Sequence, residues 1–311
     1  MGQVRPLVVC DLAYRNLTDK SQEKLKQLFN GKRGITVKGK GKLADRHYTS
    51  FNVGCLEEDE LPRKHADDHF INVSRDTKAI EGKTCPHNGE CIFAGIERDL
   101  GMLKNEAASK EDRVFALMAI GHWVGDIHQP LHISFADDRG GNGIDAKLEG
   151  KCGKSSYRVE NLHGVWDNCL LEAGLFERVR KRADFKKTWS KNTITYRAVD
   201  TLKAKTSLTA EKSFVGTEPF EWAAESYKIT LNPDVRYCVK VGQACQYSET
   251  MATLPHNGPK RLQQLDQGYL ARFERLAEER VTKAGFRLAH LLNSALDPSY
   301  TGPVQNATQK P

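Results

Sequence analysis

No run of eighteen apolar residues occurs in the chain, so no segment is fit to cross a membrane as a helix. The opening, MGQVRPLVVC, turns polar too soon to read as a secretory leader. There is no GxGxxG, no phosphate-binding loop and no GxSxG, which removes the familiar sequence signs of dinucleotide binding, P-loop chemistry and serine-hydrolase chemistry. No internal repeat is visible. What remains is a chain of 311 residues, 39% apolar, with ample material for a core in one large domain or two.

The positive features begin with charge and sulfur. Forty-seven basic against 40 acidic side chains give a net charge of +7, a balance suited to a polyanionic or phosphorylated ligand and equally common on a solvated surface. Eight cysteines and NxS/T sequons at Asn16, Asn72 and Asn306 point to an oxidising, secretory route. Cys85 and Cys91 are close enough for a small disulfide loop, and the Cys238–Cys245 stretch suits another.

Helical spacing dominates. Residues 16–29 read as a helix capped by Thr18 or Asp19; residues 31–42 are a basic, glycine-broken loop; LADRHY, with Asp45 and His47, reads as the start of another helix. Ser109 with Asp112 opens a central helix, and Pro219 starts a later one. Residues 258–296 keep a helical apolar period, with Gly268 and Gly285 as expected kinks. The glycine-rich stretch 134–160 suits a small β-hairpin excursion. The expected fold is therefore all-α, a single compact multi-helix domain over 1–296, with a polar, disordered tail over 297–311.

The chemistry concentrates in HWVGDIHQPLH. His122 and Asp126 stand four apart, on one helix face, and the apolar run RVFALMAI leads straight into them. Two such polar groups in a buried helix are costly unless paired, and a metal ion satisfies both. Pro130 stops the helix and allows His132 to turn back toward the same pocket. NLHGVWDN repeats the spacing at His163 and Asp167 among Leu162, Val165 and Trp166. A lone His with a carboxylate at i+4 is usually a surface pair; two in apolar settings, plus His132, form an N/O donor set that suits zinc. His65 and His69 are again four apart, and His69 leads into apolar Phe70 and Ile71.

In this order, an early Asp in an L-A-D context, then HF, HxxGDxHQPLH, GGN and NLHxxWD, the motifs resemble the zinc-dependent class I single-strand-specific nuclease family of the mung bean nuclease and 3′-nucleotidase type. The resemblance runs from about Leu7 to Asn293. It implies a mainly helical domain of the phospholipase C/nuclease kind, holding three zinc ions in a cleft. Asp45, His69, His122 and Asp126 would hold one ion, and Asp45 would also orient the catalytic water. His132, His163 and Asp167 would hold a second. The third shares Asp126 and draws its other ligands from the N-terminus, where Met1, Arg5 and Pro6 replace the family's Trp, Gly and His; two zinc ions are thus expected here, with weakened activity. Phe70 matches a base-stacking position, and Asn72 replaces a base-reading Asp. The implied reaction is hydrolysis of single-stranded DNA or RNA to 5′-nucleotides, with nucleotides as further substrates, by a secreted monomer. A zinc-dependent phospholipase C and a zinc-stabilised binding protein are the alternatives, the former disfavoured because it carries HxxxE where His163–Asp167 is HxxxD.

Overall fold

The computed structural model describes residues 4–39, 44–86, 89–149, 152, 160–207, 210, 213–215 and 218–302. Helices carry the fold. α1 (Val4–Tyr14) and α2 (Asp19–Leu28) come first, and Thr18 caps α2 by accepting the Ser21 N–H. α3 (Phe51–Gly54) is a single turn, α4 is Ile92–Lys104, and α5 (Lys110–Ile127) is the buried axis. Ser109 caps α5 by accepting the Asp112 N–H, and Glu111 and Asp112 complement the positive end of its dipole. From Ala116 to Ile127 every residue of α5 is buried, which its lack of a polar face requires.

α6 (Leu162–Gly164) runs on through π-helical turns at Val165–Cys169 and Glu172–Phe176 into α7 (Glu177–Arg180). α8 (Lys191–Lys205) and α9 (Pro219–Thr230) follow, and α10 (Gln267–Leu296) closes the core. α10 is about 45 Å long at 1.5 Å per residue. The helix runs unbroken through Gly285. A Cβ there would meet Leu12 of α1 at 2.6 Å, so the glycine marks the place where the two helices cross closely. One apolar cluster joins these helices from Val4 to Leu296.

Strands are short and come in pairs. β1 (Ile35–Val37) pairs antiparallel with β2 (Arg46–Tyr48), so the LADRHY segment enters a strand where its sequence suggested a helix. β3 (Ile71–Val73) runs parallel to β4 (Ile133–Phe135), placing His69 and His132, which just precede them, side by side. In the glycine-rich excursion, Asp145 bridges Asn161 antiparallel, while β5 (Asp145–Leu148) takes β8 (Leu262–Leu265) as its parallel partner. β6 (Val239–Val241) and β7 (Ala244–Gln246) form a hairpin. Disulfides join Cys10 to Cys55, Cys85 to Cys91, Cys152 to Cys169 and Cys238 to Cys245, so both short-range pairings suggested by spacing are present. Beyond α10, Asp297 is buried and Tyr300 hydrogen-bonds His290; the rest of the expected tail, 303–311, lies outside the described residues.

Candidate metal centre

Three imidazoles are oriented by the same device. His122 Nδ1 lies 2.7 Å from the Cys55 carbonyl, His132 Nδ1 2.6 Å from the His69 carbonyl, and His163 Nδ1 2.8 Å from the Gly140 carbonyl. A carbonyl only accepts, so each Nδ1 carries a proton, which leaves Nε2 as the nitrogen that can ligate once it gives up any proton of its own. Fixing the ring through the nitrogen that does not ligate is how metal-binding histidines are usually held.

Those nitrogens converge on carboxylates in two groups. In the first, His122 Nε2 lies 3.2 Å from Asp126 Oδ2 and 3.8 Å from Asp59 Oδ1. His69 turns Nδ1 inward, 2.9 Å from Asp126 Oδ2 and 3.2 Å from His122 Nε2. In the second, His132 Nε2 is 3.3 Å from Asp167 Oδ1 and His163 Nε2 is 3.4 Å from Asp167 Oδ2. Asp126 links the groups, since its Oδ2 is also 3.6 Å from His132 Nδ1. Gln129, unmarked by sequence reasoning, donates to Asp167 Oδ1 at 2.8 Å and fixes that carboxylate.

Electrostatics agree. Burial opposes ionisation of Asp126 and Asp167, but the neighbouring imidazoles outweigh it and hold both carboxyls well below the usual range. Burial likewise disfavours a charged His122, yet Asp126 and Asp59 raise its pKa to about 9. A metal ion would have to displace that proton.

The donor set fits zinc. Two ligand atoms each about 2.0–2.1 Å from a tetrahedral ion sit about 3.3 Å apart, close to the 3.2 Å between His69 Nδ1 and His122 Nε2. Nitrogen and carboxylate oxygen are also the donors zinc prefers here. Among the described residues, Asp59, His69 and His122 form one such cluster and His132, His163 and Asp167 the other. Among the described residues no third such cluster is found. Pro6 has no side-chain donor atom, and Met1 lies outside the described residues.

Asp45 is not part of the centre. Its carboxylate is exposed and held by Lys38 Nζ at 2.6 Å and the Gly39 N–H at 3.0 Å. Asp59, on a 3-10 turn in an acidic stretch, stands there instead, with Oδ2 buried and unpartnered. The other expected residues are brought together. A cleft of about 360 Å³ opens over His132, His163 and Asp167, and its walls include Arg63, half-buried Phe70, Asn72, Arg139 and Asn142.

Comparison with known proteins is consistent with this geometry. Residues 7–297 match the S1/P1 Nuclease family. Endonuclease 2 of Arabidopsis thaliana is 24% identical over 302 residues, 92% of this chain and 87% of that protein. Endonuclease 1 of the same plant is 28% identical over 209 residues, and the match spans 65% of this chain and 58% of that protein. Nuclease S1 of Aspergillus oryzae is 32% identical over 108 residues, 33% of this chain and 34% of that protein. The family is zinc-dependent, and this chain, with two histidine and aspartate clusters of which one floors an open cleft, belongs to the S1/P1 nuclease family.

Proposed function

We propose that the chain is a zinc-dependent phosphodiesterase that hydrolyses single-stranded DNA or RNA to 5′-nucleotides, working in an oxidising compartment of the secretory route. The observation that carries this reading is the pair of clusters in which imidazole nitrogens and carboxylates face each other, one of them flooring an open cleft. Zinc bound there supplies Lewis-acid charge and a water acidic enough to attack at neutral pH. The protein does the rest. Asp59 Oδ2, buried without a partner, accepts a hydrogen bond from the attacking water and orients it. Phe70 offers a face for stacking an unpaired base, worth about 1–3 kcal/mol and indifferent to sequence. A base inside a duplex cannot reach it, which accounts for a single-strand preference.

Arg63, ion-paired to Asp59 at 3.2 Å, and Arg139, unpaired among the described residues, bring positive charge to phosphate at the cleft. The four disulfides support the compartment. The test is to load purified protein with zinc and compare single-stranded DNA, single-stranded RNA, duplex DNA, 3′-nucleotides and a phosphatidylcholine dispersion as substrates. Chelator-sensitive cleavage of single strands ahead of duplex is expected. Turnover of the lipid alone would replace this reading with a phospholipase, and zinc uptake without any hydrolysis would leave a binding protein.

A further inference from the structure

A deeply buried cation lies beside this centre and belongs to the chain itself. Arg5, in the first turn of α1, is 2% exposed. Its Nη2 donates to the Trp166 carbonyl at 2.8 Å, while Nε and Nη1 are buried without a partner. Burial of a guanidinium on one hydrogen bond is unfavourable unless nearby negative charge offsets it. The carboxylates that act on it are Asp167 and Asp126, one from each cluster; Arg280 opposes them. The backbone brings it near the neighbours of both: Trp166, whose carbonyl it holds, directly precedes Asp167, and the next residue, Pro6, lies against Gly125, directly before Asp126, where an added Cβ would be 3.9 Å from the Pro6 Cα.

We propose that the Arg5 guanidinium takes the place of a third metal ion, so that the centre holds two zinc ions and a fixed arginine charge beside Asp126 and Asp167. This rests on the zinc reading of the two clusters. Three features agree: the residue next to Arg5 is a proline without a side-chain donor atom, the guanidinium is held by the carbonyl of the residue before Asp167, and its Nε and Nη1 are buried without a hydrogen-bond partner among the described residues. Arg5 is a positioning residue. It holds a positive charge, fixed to the Trp166 carbonyl, beside the two clusters, and chelators cannot remove that charge.

The experiment counts zinc per folded chain, by elemental analysis and native mass spectrometry, in wild type, Pro6→His, Arg5→Ala and the double variant, with circular dichroism as the fold control. Two ions are expected in wild type and in each single variant. Three are expected in the double variant, where the guanidinium is gone and a histidine faces Asp126. Three ions in wild type or in Pro6→His alone overturns the proposal, as does a folded double variant that stays at two; a wild type with no zinc would instead sink the zinc reading itself. A second measurement holds even if the double variant misfolds. Adding zinc should raise the melting temperature more in Arg5→Ala than in wild type, because the metal no longer competes with a resident positive charge. Equal rises would reduce Arg5 to a packing role.

Discussion

Two buried polar clusters adjoin the C-terminal end of α5, and they are satisfied in opposite ways. On one side, Arg280 and Arg287 share Glu225 at 2.5 and 2.7 Å; Arg280 also donates to the His128 carbonyl and Ser226 Oγ, and Arg287 to His128 Nε2. His128 Nδ1 in turn donates to the Val124 carbonyl at 2.8 Å. Every donor there finds an acceptor. On the other side, His122, His132 and His163 turn Nε2 toward the carboxylates of Asp126 and Asp167 at 3.2–3.4 Å, where a proton or a cation links each pair. Both clusters are rich in charge and both are buried, so burial alone does not tell them apart. The kind of donor does: a closed network of guanidiniums braces the fold, whereas imidazoles that meet carboxylates through Nε2 can exchange a proton there for a cation.

The sharpest way to break the comparison is to remove an imidazole from the open cluster. His163→Ala is expected to lower cleavage of single-stranded DNA by about 1000-fold and zinc content by one ion per chain, with the apo protein still folded. Unchanged zinc stoichiometry would mean that His163 is not a ligand. The reciprocal change, Glu225→Ala, strands two guanidiniums that are each 2% exposed at the side chain. It should cost about 3 kcal/mol in urea unfolding, at the low end for buried charges because the carboxylate itself reaches solvent, while zinc per folded chain stays constant. Loss of zinc there would merge the two clusters into one unit.

A smaller effect is expected one step back from the ligands. Gly140 has φ +68°, its carbonyl orients His163, and a Cβ there would collide with the Leu131 carbonyl. Gly140→Ala should weaken zinc at the second cluster by about 10–100-fold without abolishing it, measured by competition with a chromogenic chelator. The smallest concerns pH. Burial raises the Glu225 pKa, but Arg287 and Arg280 more than offset this and bring it down to about 2 from an ordinary 4.5. Its folded-state pKa is depressed, so its stabilisation is fully present above pH 4.5 and fades as pH falls toward 2. The melting-temperature gap between wild type and Glu225→Ala should therefore narrow across that window. A constant gap would deny the carboxylate its charge-pairing role.

The open cluster was the more legible of the two. Its ligands come in pairs at helical spacing inside apolar sequence, a pattern that survives translation into three dimensions because α5 and α6 impose it. Asp59 was not legible, since it lies in the run EEDE where no period singles out one carboxylate, and Asp45 offered a closer motif. Arg5 stood out only as a departure from the family opening, with nothing to say that it would be buried: an arginine before PLVV looks like the polar lip of an apolar helix. Nor does local sequence reveal that β5 takes a partner more than a hundred residues away, or that Glu225 and Arg287 meet. Helix periodicity encodes which face is buried, whereas these pairings depend on how separate elements dock.

The Cys10–Cys55 bond ties α1 to the turn after α3, and its two sulfurs occupy the space that a side chain at position 121 would need. Cys55 supplies the carbonyl that sets the His122 ring, Asp59 follows four residues later, and α1 carries Arg5. Thiol oxidation and the shape of the first cluster are thereby coupled: the bond that joins α1 to the turn after α3 also fixes the backbone that sets His122 and leads to Asp59.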